Sequence, residues 1–213
     1  MSFGIICFDC DSTLSRIEGI DELADRAGMR AEMARLTDAA MNGEVPLEAV
    51  YEKRLSLIRP DAAGIDWLAG LYIAEMVEGT ADVFSALAAH GKEVHIVSGG
   101  LRQAILPLAG FLGVPETHVH AVDIYFNADG SYRDFDQTSP LARTGGKAQI
   151  CRDLKRPESL LLLIGDGKTD MEAKQDGVSV IGFGGVAARP VVRELADHFV
   201  EGPSLAAVLG HIL

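Results

Sequence analysis

The chain has 213 residues, 48% of them hydrophobic, which allows one sizeable core and a small inserted domain. Its formal net charge of −12 at pH 7 argues against nucleic acid as a partner, because binding to that backbone needs clustered Lys and Arg. No apolar run approaches the roughly 18 residues of a membrane span, and no basic segment with a cleavage site precedes the first strand pattern, so we expect neither a membrane partner nor a signal peptide.

The first predicted strand, Gly4–Phe8, ends in two acidic residues, Asp9 and Asp11. Open α/β sheets carry ligand-binding groups at the carboxyl ends of their strands. Two carboxylates there can divide the work: one attacks a substrate or binds a metal, and the other moves protons. The same pattern also occurs in ordinary turns, so it predicts a site only together with other segments.

A purely helical pattern follows, from residue 15 to about residue 77. Its first helix has a plausible stop at Gly28. Three more helices are predicted over Arg30–Met41, from Pro46 to before Pro60, and over Asp61–Met76. We expect this insertion to form an α-helical cap over the carboxyl edge of the sheet.

The second predicted strand, Glu93–Val97, runs into Ser98-Gly99-Gly100, and we expect a helix to start near Leu101. A hydroxyl and free backbone N–H groups at a helix N-terminus make an anion site. The competing interpretation is a plain N-cap serine followed by flexible glycines.

A small antiparallel excursion is predicted within His118–Asp136. Alternating residues there flank Asn127-Ala128-Asp129-Gly130, and an Asp-Gly pair between such runs is typical of a hairpin. We expect this excursion to be too small for a domain.

Two later segments add a lysine and a second acidic pair. Lys147 follows two glycines at a predicted helix start, where it could direct a point charge at a phosphate. The strand Leu160–Ile164 leads to Asp166 and Asp170, whose carboxylates suit Mg²⁺. Taken alone, Lys147 would be interpreted as a solvated lysine, whereas Asp166 and Asp170 would fit a turn residue and an N-terminal helix charge as well as they fit metal ligands.

Five apolar runs alternate with helical patterns and predict an α/β fold, with a Rossmann-like parallel sheet as core and helices on both faces. The runs are Gly4–Phe8, Glu93–Val97, Leu160–Ile164, Val178–Ile181 and His198–Val200. We expect residues 1–14 and 78–213 to form this core and residues 15–77 to form the cap.

The segments at the strand ends are expected to meet at one edge of the sheet. Together they supply a nucleophile, an acid, a hydroxyl with backbone donors, a lysine and a further acidic pair. Phosphoryl transfer requires these groups and a divalent metal. The combination therefore favours a phosphoryl-transfer site.

The three cysteines, Cys7, Cys10 and Cys151, are predicted to be core thiols. Cys7 and Cys10 have the spacing of a zinc or redox pair, but the sequence offers no further ligands nearby. An odd count without a disulfide framework suits a reducing compartment, so we expect a cytoplasmic protein.

The motifs resemble those of the haloacid dehalogenase-like phosphatase superfamily. The shared motifs are Asp9-Cys10-Asp11-Ser12-Thr13, Ser98-Gly99-Gly100, Lys147 and Gly165-Asp166-Gly167-Lys168-Thr169-Asp170. A narrower resemblance, to the phosphoserine phosphatases, lies in the segments Glu18–Ala24, Met41–Pro46, Arg54–Ile58 and Ile181–Gly185. It covers nearly the whole chain, including the predicted cap.

The resemblance implies a role for each catalytic residue. Asp9 would be the nucleophile that forms an aspartyl-phosphate, and Asp11 would protonate the departing oxygen and then activate the hydrolytic water. Mg²⁺ would lie between the Asp9 carboxylate, the Asp11 backbone carbonyl and Asp166, with Asp170 in support. The phosphoryl oxygens would be held by Ser98, Gly99, Gly100 and Lys147.

The resemblance also implies how the substrate is read. Glu18 would pair with its ammonium group and Arg54 with its carboxylate, for which a planar guanidinium is suited. Met41 would close the apolar side of the pocket, and Thr169 would contact the substrate. From the residues alone, Glu18 would be interpreted as an N-terminal helix charge and Arg54 as a solvated helix residue.

Two positions depart from the family pattern. Lys168 stands where a small residue is frequent, and Asn42 stands where glycine is usual. Neither change removes a catalytic group, but both bear on the shape of the pocket.

Three functions remain open from the sequence. The first is a Mg²⁺-dependent phosphoserine phosphatase, which would catalyse the last step of L-serine biosynthesis. The second is a related phosphatase or phosphotransferase acting on another small phosphomonoester. The third is a catalytically silent phospho-ligand sensor. Glu18 with Arg54 favours an amino-acid substrate, and retention of both Asp9 and Asp11 argues against the sensor.

Overall fold

A computed structural model describes residues 3–42 and 44–213, and the side chains of all of these except Glu32, Ala34 and Met41. The strands are β1 Phe3–Phe8, β2 Glu93–Leu101, β3 Val119–Val122, β4 Ile124–Phe126, β5 Tyr132–Phe135, β6 Leu160–Gly165, β7 Ser179–Phe183 and β8 His198–Val200. Six of them form one parallel sheet in the order β3-β2-β1-β6-β7-β8. The predicted α/β fold is confirmed.

The helices are α1 Gly19–Arg26, α2 Arg30–Met41, α3 Leu47–Ile58, α4 Ala62–Ala74, α5 Thr80–Ala89, α6 Arg102–Phe111, α7 Gly146–Leu154, α8 Lys168–Met171, α9 Pro190–Leu195 and α10 Leu209–Ile212. Helices α1 to α4 lie between β1 and β2, where the sequence predicts helices. Ile20, Leu23 and Ala24 bury one face of α1, and Gly28, with φ +76°, follows its end. The Asp61 side chain accepts a hydrogen bond from Gly64 N at 2.7 Å and so caps α4.

The central strands are covered on both faces. Successive residues Ile5, Ile6, Cys7 and Phe8 of β1 are all buried, and alternate residues of a strand point to opposite faces. Because β1 pairs with β2 on one side and β6 on the other, the carboxyl ends of these three strands lie side by side. The chain that follows each of them therefore reaches the same edge of the sheet.

The structure adds a sixth strand to the five predicted ones. β3 pairs parallel to β2, with Ile96 opposite Val119, and it lies in the segment for which only a hairpin was predicted. The predicted hairpin follows as β4 and β5, which pair antiparallel, with Gly130 at φ +82° in the turn. A local alternating pattern marks a strand but does not identify its partner, which explains the difference.

The end of β2 differs from expectation in one respect. Helix α6 begins at Arg102, as predicted for a helix that starts near Leu101, but the strand continues beyond Val97 through Ser98-Gly99-Gly100 to Leu101. The register with β3 shifts here, because Val97 pairs with His120 but Leu101 pairs with Val122. The additional residues on β2 leave the Ser98–Gly100 backbone outside the regular ladder, where its polar groups are open to other partners.

Cys7, Cys10 and Cys151 are free and buried, as predicted for core thiols. Within residues 3–42 and 44–213, no helix combines the length and the apolarity that crossing a bilayer would take.

Candidate active site

A buried lysine connects two aspartates at the carboxyl edge of the sheet. Asp9 directly follows β1, and its backbone N–H donates to Ile164 O of β6 at 2.9 Å. Lys147 Nζ, from the first turn of α7, lies 2.7 Å from Asp9 Oδ2 and 2.7 Å from Asp170 Oδ1. Burial alone would lower the pKa of this lysine, but the charges of Asp170 and Asp9 raise it above its usual value. Lys147 is therefore a permanent buried cation, not a solvated side chain.

Three carboxylates form a compact acidic cluster in the same place. Oxygens of Asp9, Asp166 and Asp170 lie within 4.8 Å of one another. Burial and the charges of Asp9 and Asp170 raise the pKa of Asp166 to about 8. Burial also raises the pKa of Asp170 to about 7, against the opposing effect of Lys147. The raised pKa values show that the negative charges of this cluster are not fully compensated. Such a set of hard oxygen donors fits a divalent metal ion.

Both oxygens of Asp170 have partners within the protein. Oδ1 accepts from Lys147, and Oδ2 accepts from Gly167 N at 3.0 Å. In addition, a Cβ on Gly165 would overlap the Asp170 carboxyl group. Asp170 is thus held close to Asp166 and Lys147 by its surroundings, which suits the supporting position expected for it.

Asp11 is held by donors from the helical segment. Its Oδ1 accepts from the Tyr72 hydroxyl at 2.6 Å and from Gly19 N at 2.9 Å. Burial and the charge of Asp9 raise the pKa of Asp11 to about 6. A carboxyl group with this pKa can both give and take a proton near neutral pH.

One cavity of about 570 Å³, counting the space at its mouth, brings most of the predicted site residues together. Those that line it are Asp9, Asp11, Glu18, Arg54, Ser98, Gly99, Lys147, Asp166 and Thr169. Ser98 Oγ accepts from Gly100 N at 3.0 Å, but Gly100 itself does not line the cavity. The Met41 side chain lies outside the described part of the chain, so its predicted role stays a prediction.

The two residues predicted to read the substrate both reach this cavity. Arg54 is only 3% exposed, and its Nη1 donates to Thr37 Oγ1 at 2.7 Å. Its Nε–H has no partner among the described residues, and the same holds for the buried hydroxyl of Thr169. An unpaired buried donor costs about 1–3 kcal/mol, so both groups fit contacts to a ligand. Glu18 Oε1 accepts from Ser12 Oγ at 2.7 Å.

Arg189, in the loop between β7 and α9, also contacts this site, although no pattern in the sequence predicts it. Its Nε is 3.2 Å from Asp166 Oδ2, and its Nη1 is 3.2 Å from Asp38 Oδ1 of α2. Its Nη2 is 3.7 Å from Glu18 Oε1. The guanidinium thus connects the sheet to α2 and the start of α1. No local pattern marks such a residue, because its three partners are distant in sequence.

The two departures from the family pattern lie away from the cavity wall. Lys168 lines a separate pocket together with Thr144, Thr169 and Glu172. Asn42 ends α2 with helical backbone angles, so its side chain imposes no strain on that turn. Of the described residues, neither of these two lines the cavity that contains Asp9.

Gly146 positions Lys147 through close packing. A Cβ at this position would overlap the carbonyl group of Pro140. We expect Gly146→Ala to lower the free energy of unfolding by about 1–3 kcal/mol, because backbone must move to make room. As a control, Gly110→Ala in α6 meets open space and should stabilise by about 0.5–1 kcal/mol. Urea unfolding of both variants tests this, and equal effects would contradict it.

Comparisons with known proteins agree with this geometry. The family model for haloacid dehalogenase-like hydrolases matches residues 6–174. The phosphoserine phosphatase of Bos taurus is 36% identical, and the match covers 92% of this chain and 88% of the relative. The phosphoserine phosphatase of Drosophila melanogaster is 38% identical, and the match covers 92% of this chain and 74% of the relative. A solved phospho-aspartyl intermediate analogue of phosphoserine phosphatase superposes with a TM-score of 0.85 at 27% identity, and a substrate-bound phosphoserine phosphatase complex with 0.85 at 26%, each over 100% of both chains. The chain therefore belongs to the haloacid dehalogenase-like hydrolases and, within them, to the phosphoserine phosphatase family.

Proposed function

We propose that the protein is a Mg²⁺-dependent phosphatase that hydrolyses O-phospho-L-serine to L-serine and phosphate through an aspartyl-phosphate. The observation that carries this proposal is the cavity that Asp9 and Asp11 share with Arg54 and Glu18. In this cavity Asp9 can act as nucleophile and Asp11 as acid. Arg54 can bind the carboxylate of an amino acid, and Glu18 can bind its ammonium group. The phosphoserine phosphatases among its relatives support the same substrate.

In the first step, a carboxylate oxygen of Asp9 attacks phosphorus and the bond from phosphorus to the serine oxygen breaks. Asp11 gives its proton to that oxygen, so L-serine leaves as a neutral alcohol. In the second step, water attacks phosphorus, Asp11 takes the water proton, and the Asp9 carboxylate is released. The pKa of about 6 suits Asp11 to both tasks.

Lys147 lets an anionic nucleophile meet an anionic substrate. Its Nζ contacts Asp9 Oδ2 at 2.7 Å, so its charge offsets the repulsion between carboxylate and phosphate. Ser98, Gly99 and Gly100 would hold the phosphoryl oxygens together with Lys147. The irregular end of β2 supports this, because the backbone there is free of regular pairing.

Mg²⁺ would be held by the Asp9 carboxylate, the Asp11 backbone carbonyl and Asp166, with Asp170 in support. Bound there, the ion would neutralise charge on the phosphoryl group. The acidic cluster of Asp9, Asp166 and Asp170 supports this assignment, since carboxylate oxygens are preferred Mg²⁺ ligands.

Residues 15–77 would form the cap that reads the amino acid, on a core of residues 1–14 and 78–213. The two crossings between them lie side by side: Val77 N donates to Leu14 O at 2.9 Å, and Arg16 N donates to Glu75 O at 2.8 Å. Glu18 would bind the substrate ammonium and Arg54 its carboxylate, with Met41 and Thr169 completing the pocket. We assign the reaction to the last step of L-serine biosynthesis in the cytoplasm, a reducing compartment that suits three buried free thiols.

Arg54→Ala tests this assignment. We expect kcat/KM for phosphoserine to fall roughly 10 to 150-fold, because a charge-assisted hydrogen bond contributes about 1.5–3 kcal/mol. p-Nitrophenyl phosphate has no α-carboxylate, so Arg54→Ala should lower kcat/KM for this substrate only slightly. The measurement is phosphate release from both substrates, with and without Mg²⁺.

Lys53→Ala is the matched control, since Lys53 is the preceding residue of α3 and is exposed. It should leave both substrates unchanged. Equal losses on both substrates in Arg54→Ala would favour a phosphatase or phosphotransferase for another small phosphomonoester. If the wild-type protein with Mg²⁺ released no phosphate from any ester, a phospho-ligand sensor would be the better interpretation.

A further inference from the structure

The two oxygens of the Asp11 carboxyl group have different surroundings. Oδ1 accepts two hydrogen bonds, from the Tyr72 hydroxyl at 2.6 Å and from Gly19 N at 2.9 Å. Oδ2 accepts none from the described residues. It lies on the side of the Ser98–Gly100 segment, because a Cβ on Gly100 would be 3.1 Å from Asp11 Oδ2 and 3.3 Å from Ser98 Oγ. Oδ1 is thus fixed by two hydrogen bonds, whereas Oδ2 faces the cavity.

The packing that brings the Tyr72 hydroxyl to Asp11 is specific. Tyr72 is fully buried, and a Cβ on Gly19 would overlap its hydroxyl oxygen. Only a residue without a side chain at position 19 lets the hydroxyl and the Gly19 N–H reach the same oxygen. The two donors come from α4 and from the first residue of α1, so both belong to the helical segment and not to the sheet.

We propose that the Tyr72 hydroxyl and the Gly19 N–H are positioning groups for Asp11, which hold Oδ1 so that Oδ2 alone exchanges protons at the reacting centre. This inference rests on the proposed function. When the bond from phosphorus to the substrate oxygen breaks, the proton on Oδ2 moves to that oxygen and Asp11 becomes a carboxylate. When water attacks the aspartyl-phosphate, one water proton returns to Oδ2 and the bond from Asp9 to phosphorus breaks.

The Gly19 N–H determines which oxygen of Asp11 carries the proton. A backbone N–H only donates, so it opposes a proton on the oxygen that it binds. A carboxyl group held in this way cannot rotate without losing both hydrogen bonds. The helical segment therefore has a second task besides reading the amino acid: it fixes the proton-transfer group at the end of β1.

Tyr72→Phe tests the proposal, because it removes the hydroxyl and keeps the ring. The substrates are aryl phosphates with graded leaving-group basicity, from phenyl phosphate to p-nitrophenyl phosphate, which have no amino-acid group for Arg54 or Glu18. We expect kcat/KM for phenyl phosphate to fall about tenfold, a fraction of the 10²–10⁴ that a general acid contributes. The loss for p-nitrophenyl phosphate should be less than about threefold, because its leaving group needs little protonation. KM should change little.

Tyr51→Phe is the control for loss of a buried tyrosine hydroxyl. Tyr51 is also buried in the helical segment, and its hydroxyl donates at 2.8 Å to Gly99 O and not to a carboxylate. Whatever activity this variant loses should be lost equally across the aryl series. Arg54→Ala should likewise leave the dependence on the leaving group unchanged.

A double-mutant cycle with Asp11→Asn separates positioning from packing. If Tyr72 acts through the proton of Asp11, Tyr72→Phe should have no further effect once Asp11 is Asn. Equal losses in both backgrounds, or an unchanged dependence on the leaving group, would overturn the inference. If Tyr72→Phe failed to fold, Gly19→Ala, which displaces the same hydroxyl, would carry the same test. A wild-type protein inactive on all esters would instead reject the proposed function.

Discussion

Asp9→Asn should abolish turnover and leave the protein folded. Asp9 is the first carboxylate after β1, in contact with Lys147 at 2.7 Å, and it belongs to the acidic cluster. An amide is a poor nucleophile and a poor ligand for Mg²⁺, so both contributions of this residue are lost together. Folding should survive, because the substitution removes a negative charge from a place with three close carboxylates.

The measurement for Asp9→Asn is phosphate release from phosphoserine, together with a far-UV circular dichroism spectrum and trapping of the phospho-enzyme after acid quench. Asp153→Asn, at an exposed position of α7, is the matched control and should keep full activity. If Asp9→Asn retained activity within tenfold of the wild type, Asp9 would not be the nucleophile. A phospho-enzyme still trapped in this variant would lead to the same conclusion.

Asp11→Asn should slow both chemical steps, since one group serves first as acid and then as base. General acid–base groups contribute about 10²–10⁴-fold, and we expect a loss in this range for phosphoserine. The Asn side-chain oxygen can still accept from Tyr72 and Gly19, so the site should keep its shape. Asn cannot donate a proton to the leaving group. The factor by which Asp11→Asn lowers kcat/KM should therefore be smaller for esters with better leaving groups.

Rapid-quench kinetics of Asp11→Asn would resolve the two steps. Formation and hydrolysis of the aspartyl-phosphate should both be slower than in the wild type. A total loss below about tenfold would mean that another group handles the proton.

The meeting of the acidic residues at one edge of the sheet could be predicted from the sequence because its signals are local. Asp9 and Asp166 each follow an apolar run within two residues, and parallel strands bring such ends to one edge. That Arg54 and Glu18 line the same cavity could be expected only through the family resemblance. Taken alone, their patterns are those of a solvated residue and a helix charge.

The parts that the sequence analysis missed depend on contacts between distant segments. Arg189 meets Asp166 and Asp38, and Tyr72 meets Asp11, but no periodicity or turn signal connects these positions. The irregular end of β2 escaped prediction for a similar reason. Its register shift is defined against β3, a strand whose partner the sequence does not identify.

The pairing of β1 with β6 determines when the site comes into existence during synthesis. Phe8 pairs with Ile164, and the Asp9 N–H donates to that same residue, so Asp9 acquires its neighbour only after the chain has grown past β6. At about 5–20 residues per second, this interval is roughly 8–30 s on the ribosome. During that time β1 can pair only with β2, and its other edge stays open. An incomplete chain therefore exposes an apolar strand edge before the proposed site exists, so the pairing of β1 with β6 both covers that edge and brings Asp9 next to the residues that follow β6.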